Sequence, residues 1–371
     1  MKKPPIIWTN ILVLFLTPAA ALIFVPLYGF TIGYDLFEWS MFILFMAATG
    51  LSITAGYHRL WSHRAYDAHW LPRLFFAIFG ACGLQNSILI WCADHRRHHK
   101  YVDRNERDPY SANRGFWFSH IGWILREYDS SDPSLDNTKD LARDPIVRWQ
   151  HRYYLPLAIF TNTVLLLAIG ILHGKWLGVF LLAGLLRIVL NHHFTFFINS
   201  LAHRWGAQNF CTKNTSRDNH LLAFFTYGEG YHNFHHRFQY DYRNGVKWWH
   251  FDPGKWLIRT GSWLKLTRNL KKSNKLQIER ARMAVQLDRA LRRMEKIGDA
   301  DHWRHKLEEG YHQCLAAMDA WIKFRQDWLA AKGRHMKERW DGILLRERYL
   351  NLKYNLKLQR QRWRLLTQPW M

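Results

Sequence analysis

Apolar positions fall into four runs, at about 11–30, 37–56, 155–172 and 176–198, each long enough to cross a hydrocarbon core of about 30 Å as a helix. Short turns join the first to the second and the third to the fourth, His173-Gly-Lys175 being the latter, so the runs predict two hairpins. The first run continues through Ile23-Phe-Val25 and Leu27, too far for the apolar part of a cleaved signal peptide. A fifth run, Leu71–Cys92, carries Gln85 and Asn86 in its middle and separates two histidine clusters. If it crossed, those clusters would lie on opposite faces, about 30 Å apart, whereas metal–nitrogen bonds are about 2 Å. The run therefore predicts an apolar helix that dips into one membrane face or lies along it. Residues 100–153 are polar, with Asp108-Pro, Asp132-Pro and Asp144-Pro as breakers. From 271 onward Leu276, Met283, Leu287, Leu291 and Met294 recur at helical spacing, as do Leu307, Tyr311, Leu315, Met318, Ile322 and Leu329. Gly298-Asp299 and Gly333 mark breaks there, predicting two or three amphipathic helices.

Composition sharpens this division into residues 1–270, a membrane domain, and 271–371, a basic helical extension. The last segment holds 24 Lys and Arg against 12 Asp and Glu, about half of the chain's formal +23. A basic balance suits nucleic acid, anionic lipid or cytoplasmic loops; in a chain with several spans the last reading is preferred, and no nucleic-acid partner is expected. Lys2-Lys3 ahead of the first run places the N-terminus in the cytoplasm, and four crossings return every histidine cluster and the C-terminus to that side. Many of the 20 tryptophans lie near the ends of apolar runs, as interfacial belts do. The four cysteines are scattered and form no CxxC pair, so histidine dominates any metal chemistry.

Three clusters hold eight imidazoles: His58 and His63 in His-Arg-Leu-Trp-Ser-His, His95, His98 and His99 in His-Arg-Arg-His-His, and His232, His235 and His236 in Gly228-Glu-Gly-Tyr-His-Asn-Phe-His-His. Positions i, i+3 and i+4 share a helical face, so the second and third clusters can each aim several nitrogens at one spot. His58 and His63, five apart, leave a single α-helical face and suit a bend or a helix end. An all-imidazole site suits iron, zinc or copper, and eight ligands are enough for two ions. Eight isolated histidines, His120 among them, read as solvated. His192-His193 lies inside the fourth run, where an ionisable side chain has a functional or pairing reason, and its contact with the site stays open.

At these clusters the sequence resembles the membrane-bound fatty acid desaturases, in particular the stearoyl/acyl-CoA Δ9 group. The family's boxes H-x4-H, H-x2-HH and H-x2-HH all stand here in order. Around them Gly56-Tyr-His-Arg-Leu-Trp-Ser-His63, Asp94-His-Arg, Arg114-Gly-Phe-Trp-Phe-Ser-His-Ile-Gly-Trp123 and Asn199-Ser-Leu-Ala-His203 look like family signatures, over residues 10–260. The resemblance implies an all-α integral membrane protein with four transmembrane helices and a cytoplasmic helical cap carrying a histidine-rich di-metal site. It implies two irons held by His58, His63, His95, His98, His99, His203, His232, His235 and His236, with Asn199 holding a water, and no catalytic residue beyond these ligands. A bent acyl tunnel would have Gln85, Thr195 and Phe196 near its kink and Asn86, Asp94 and Trp123 toward the head group. The family more often has Trp at position 196.

The implied reaction inserts a cis Δ9 double bond into a saturated acyl chain with O2 and two external electrons; a hydroxylase or ketolase on the same boxes is the alternative. No haem-binding or flavin segment is found, so a separate reduced donor protein with its own reductase is expected. Arg59, Arg64, Arg96, Arg97, Lys100 and Arg237 are expected to suit an acidic one. Only Arg126 is basic just after Trp123, and Cys92-Ala93 replaces the family's frequent Ala-Arg. Acyl-CoA is therefore the first substrate expected, with a phospholipid or carrier-protein thioester open.

Overall fold

The computed structural model describes residues 4–295, 300–332 and 339–370; Lys2-Lys3, Gly298-Asp299 and Gly333 lie outside them. Four helices, Trp8–Thr31, Leu36–Ser62, Tyr154–His173 and Trp176–His203, are long and apolar enough to cross a membrane. Phe15, Leu16, Leu22 and Phe30 are more than half exposed on the first of them, a surface that suits lipid rather than water. The chain is an all-α integral membrane protein of two helical hairpins.

At the end of the spans remote from the three histidine clusters, Asp35 and Glu38 form a capping box on the second helix, each side chain accepting from the other's backbone N–H. The Asp35 carboxylate also lies 2.9 Å from His173 Nε2 and 3.2 Å from Lys175 Nζ, joining the two hairpins there. At the opposite end the second span becomes π-helical over Ser52–Ser62, all of it buried.

The run 71–92 is not one helix. Trp70–Ala81 is a 12-residue helix, about 18 Å long and too short to cross. The chain then turns through residues 82–87, with Leu84 (φ 51°) and Asn86 (φ 71°) left-handed, and continues as Ile88–Tyr101. Polar residues at 85 and 86 thus mark a reversal. The short helix packs closely on the π-helical segment, where a Cβ at Gly56 would meet the Cβ of Phe76 at 2.6 Å and one at Gly80 would meet the Tyr57 ring at 2.2 Å.

Short helices cap the histidine end of the spans. Pro145–Arg152 starts on the Asp144 side chain and Pro253–Trp263 on that of Asp252, each with proline in its first turn. Asp67–Ala68 pairs antiparallel with Thr267–Arg268 beside them.

The chain divides into two compact units, 1–208 with 213–272, and 209–212 with 273–371. The second is a set of three helices, Lys275–Glu295, Ala300–Lys332 and Arg339–Thr367. Met283, Ala290 and Met294 of the first meet Leu307, Cys314 and Met318 of the second and Leu356 and Trp363 of the third in one apolar core. The Arg360 guanidinium pairs with the Glu279 carboxylate, and Arg282 lies 5.1 Å over the Phe210 ring, drawing residues 209–212 into this unit.

Candidate metal centre

The π-helical end of the second span explains the five-residue spacing of the first box. An i→i+5 hydrogen bond, His63 N–H to His58 C=O at 3.0 Å, brings the two residues to consecutive turns of one face. His63 Nε2 is 2.8 Å from His95 Nε2, and His235 Nε2 is 3.0 Å from that of His58 and 2.9 Å from that of His99. These five form one group of converging nitrogens; His98, His203, His232 and His236 form a second. Within the second, His232 Nε2 is 3.1 Å from both His203 Nε2 and His236 Nε2, and His98 Nε2 is 3.3 Å from that of His236.

The second and third boxes therefore each serve both groups instead of aiming at one spot, while His58 and His63 both join the first. In His95-x-x-His98-His99 the i, i+4 pair joins the first group and His98 the second, while in His232-x-x-His235-His236 the pair joins the second and His235 the first. Residues four apart differ by about 40° around an α-helix, whereas the i+3 residue lies about 100° from its neighbour at i+4. The two clusters thus interleave across a common boundary.

Carboxylates and hydroxyls stand behind the rings. Glu229, 4% exposed, has Oε2 3.0 Å from His58 Nδ1 and accepts from Asn244 Nδ2 at 2.6 Å and Arg59 Nη2 at 3.0 Å, as well as from the Thr54 hydroxyl. Burial alone raises the Glu229 carboxyl, but His58 and Arg59 outweigh it and hold the group well below its ordinary value. Asp108 Oδ1 lies 2.9 Å from His98 Nδ1. His203 Nδ1 meets the Thr215 hydroxyl at 2.8 Å, and that hydroxyl donates to Asp103 at 2.7 Å. Burial, aided by neighbouring imidazoles, pushes His95, His99, His235 and His236 well below the usual histidine range. They are neutral at physiological pH, the form that binds metal.

A carboxylate behind Nδ1 places the proton there and leaves the Nε2 lone pair pointing inward. In each group such lone pairs converge on a common centre, an arrangement that a cation in the middle satisfies. Two nitrogens each about 2.1 Å from one ion and at right angles are about 3 Å apart, which matches these separations. The donor set fits two metal ions.

The groups border a cavity of about 540 Å3. His58, His95, His98 and His232 reach its wall, as do Asn199 and all six residues expected to touch substrate: Gln85, Asn86, Asp94, Trp123, Thr195 and Phe196. Gln85 Nε2 donates to Thr195 Oγ1 at 2.9 Å and Trp91 Nε1 donates to Gln85 Oε1 at 3.3 Å, tying the turn to the fourth span. Burial pushes the Asp94 carboxyl up to about 6 against the pull of Arg97. Val13, Leu14, Ile53, Leu155 and Ile198 make much of the remaining wall apolar.

Several expectations need correction. Of the cations expected to face a donor, Arg59 is 1% exposed and held by Glu229 and Asp252, Arg97 is buried against Asp94 and Asp132, and Arg96 pairs with Asp140. Among these six only Arg64, Lys100 and Arg237 are exposed. His120 is not solvated but buried between His193, 3.1 Å away, and Ser200. His192 lines the cavity with Nε2 3.0 Å from the Gly83 carbonyl, and neither it nor His193 enters the nitrogen groups. The sequence reading gives Glu229, Asp103 and Thr215 no role and takes Asp108 as a chain breaker. Only the carboxylate three residues before His232 offered a signal.

Residues 36–262 match the family model for fatty acid desaturases. The chain is 43% identical to acyl-CoA desaturase 1 of Saccharomyces cerevisiae over 71% of its own length, and spans about half of that relative, 51%. It is 36% identical to stearoyl-CoA desaturase 5 of Homo sapiens, over 75% of this chain and 84% of the relative. Against the sn-1 stearoyl-lipid 9-desaturase of Anabaena variabilis it is 34% identical, over 74% of this chain and 97% of the relative. With nine histidines gathered at the end of four spans and the family model covering most of the membrane unit, the chain belongs to the fatty acid desaturase family.

Proposed function

We propose that the protein inserts a cis double bond of the Δ9 type into a saturated acyl chain carried as a CoA thioester, using O2 and two electrons from a separate donor protein. The observation that carries this reading is the position of two all-imidazole groups beside a largely apolar cavity. The first group would hold one iron through His58, His63, His95, His99 and His235; the second would hold another through His98, His203, His232 and His236, with Asn199 supporting a water. Bound iron with O2 supplies the oxidant for removing hydrogen from an unactivated CH2, which no side-chain acid or base can do.

The chain's own part is positional. Gln85, Thr195 and Phe196 shape the passage beside the histidines, so a flexible chain is held in one bent form with one CH2–CH2 pair presented. Apolar walls exclude water. Asn86, Asp94 and Trp123 stand where the thioester end would lie. Glu229, Asp108 and the Thr215–Asp103 pair hold the Nδ1 side of three rings, keeping their Nε2 atoms inward. The histidine end faces the cytoplasm in this reading, and Arg64, Lys100 and Arg237 remain the cations for an acidic donor.

Expression in a host lacking unsaturated fatty acids tests the proposal. A Δ9 cis alkene in the lipids, dependent on iron, is the expected result; folded, iron-loaded protein that yields no alkene would sink it, and an alcohol would reassign the reaction. Labelled acyl-CoA compared with labelled phospholipid, in the presence of a reducing system, identifies the carrier.

A further inference from the structure

The turn at 82–86 is held from outside by the fourth span. Arg187 is fully buried, and its four acceptors are all neutral: Ala183 O at 2.6 Å, Thr49 Oγ1 at 3.3 Å, Cys82 O at 3.0 Å and the Asn162 side-chain oxygen. One turn and a half further on, His192 Nε2 donates to the next carbonyl, that of Gly83. Cys82 is the C-cap of the Trp70–Ala81 helix and Gly83 the residue after it, so both carbonyls lie where the helical ladder has ended. Tyr154 of the third span accepts from the Asn86 N–H at 3.1 Å. A turn with two left-handed non-glycine residues persists only where its surroundings determine it, and here three spans do so. The clamp also coincides with two further π-helical passages, Phe160–Val164 around Asn162 and Phe180–Leu186 just before Arg187, of a kind concentrated at functional sites.

Leu84, Gln85 and Asn86 form part of the cavity wall, and the helix that follows carries His95, His98 and His99. We propose that Arg187 and His192 are positioning residues that set which carbon pair of the acyl chain faces the metal groups, by fixing the Cys82 and Gly83 carbonyls and hence the 84–86 wall. This rests on the acyl desaturase reading above. A shift of the wall by about 1 Å is comparable with the step between successive methylenes, so a loosened clamp changes the site of attack as well as its rate. An arginine held by neutral acceptors within the spans has a demand that a merely apolar residue could not meet, since intramembrane charge is retained for a specific partner.

The test uses the full chain in membranes with a saturated stearoyl thioester, reading double-bond position by mass spectrometry of derivatised products. His192→Phe removes the donor but keeps a ring; His192→Gln restores a donor; Arg187→Lys keeps the charge but cannot span the same acceptors. The wild type is expected to give one positional isomer. His192→Phe and Arg187→Lys are expected to place roughly one double bond in ten at a displaced carbon, as when preference falls to about tenfold, with His192→Gln reverting toward the wild type. Amide hydrogen exchange over 82–87 should quicken in the first two variants. Less protein, or less product at an unshifted position, would assign the clamp a purely structural role and overturn the proposal. A wild type that makes no alkene would instead sink the desaturase reading on which it rests.

Discussion

Glu229 shows how much of the centre lies one layer behind its histidines. Its carboxylate meets His58, Arg59, Thr54 and Asn244 at once, so a single buried charge joins the first box to the loop before the third. Glu229→Gln keeps the size but removes the charge and leaves one acceptor oxygen where His58 and the buried Arg59 each face one. We expect metal bound by the first group to fall and activity to drop about 10–100-fold, with Asp108→Asn doing the same at the second; metal analysis of the purified variants checks both. Eight of the nine histidines were legible because imidazole clusters in short segments are rare and chemically specific. His203 was visible only through the family signature, Glu229 only by standing three residues before His232, and Asp108 and Thr215 had nothing local to distinguish them. Their role comes from chain segments 10 to about 170 residues away in sequence.

Among the elements, the spans were readable and their irregularities were not. Apolar length alone locates four helices, because a bilayer demands it. Local pattern does not report that the second span changes to i→i+5 bonding at Ser52, since that change follows from packing against Trp70–Ala81 and from the nitrogens having to meet. The contact is tight: a methyl at Gly56 would lie 2.6 Å from the Phe76 Cβ, next to a residue two positions from His58. Gly56→Ala is expected to cost about 1–3 kcal/mol as the helices part, and to reduce metal occupancy by displacing His58. Thermal unfolding in detergent with parallel metal analysis checks this, and a variant as stable and as fully loaded as the wild type would refute it. Gln85 and Asn86 did signal trouble within the fifth apolar run. That trouble proved to be a left-handed turn.

For the whole molecule, all nine histidines and the entire cavity wall lie within the first unit. A variant ending at Lys272 is therefore expected to keep two metal ions per chain, while proteases gain access to the loop around residues 209–212. A shortened protein devoid of metal would count against this. The helical periodicity after 271 predicts two or three tail helices; its recurrences fall in the first two, and the third, Arg339–Thr367, had none read for it. The visit of Asn209–Thr212 to the tail has no periodic trace, because four residues are too few to show one. That visit also orders events in time during synthesis. The loop leaves the ribosome some sixty residues before the first tail helix exists. Until that helix emerges, Phe210 lacks the Arg282 that lies over its ring, only a few residues from His203 and Thr215. The last hundred residues to be translated thus finish a loop begun much earlier.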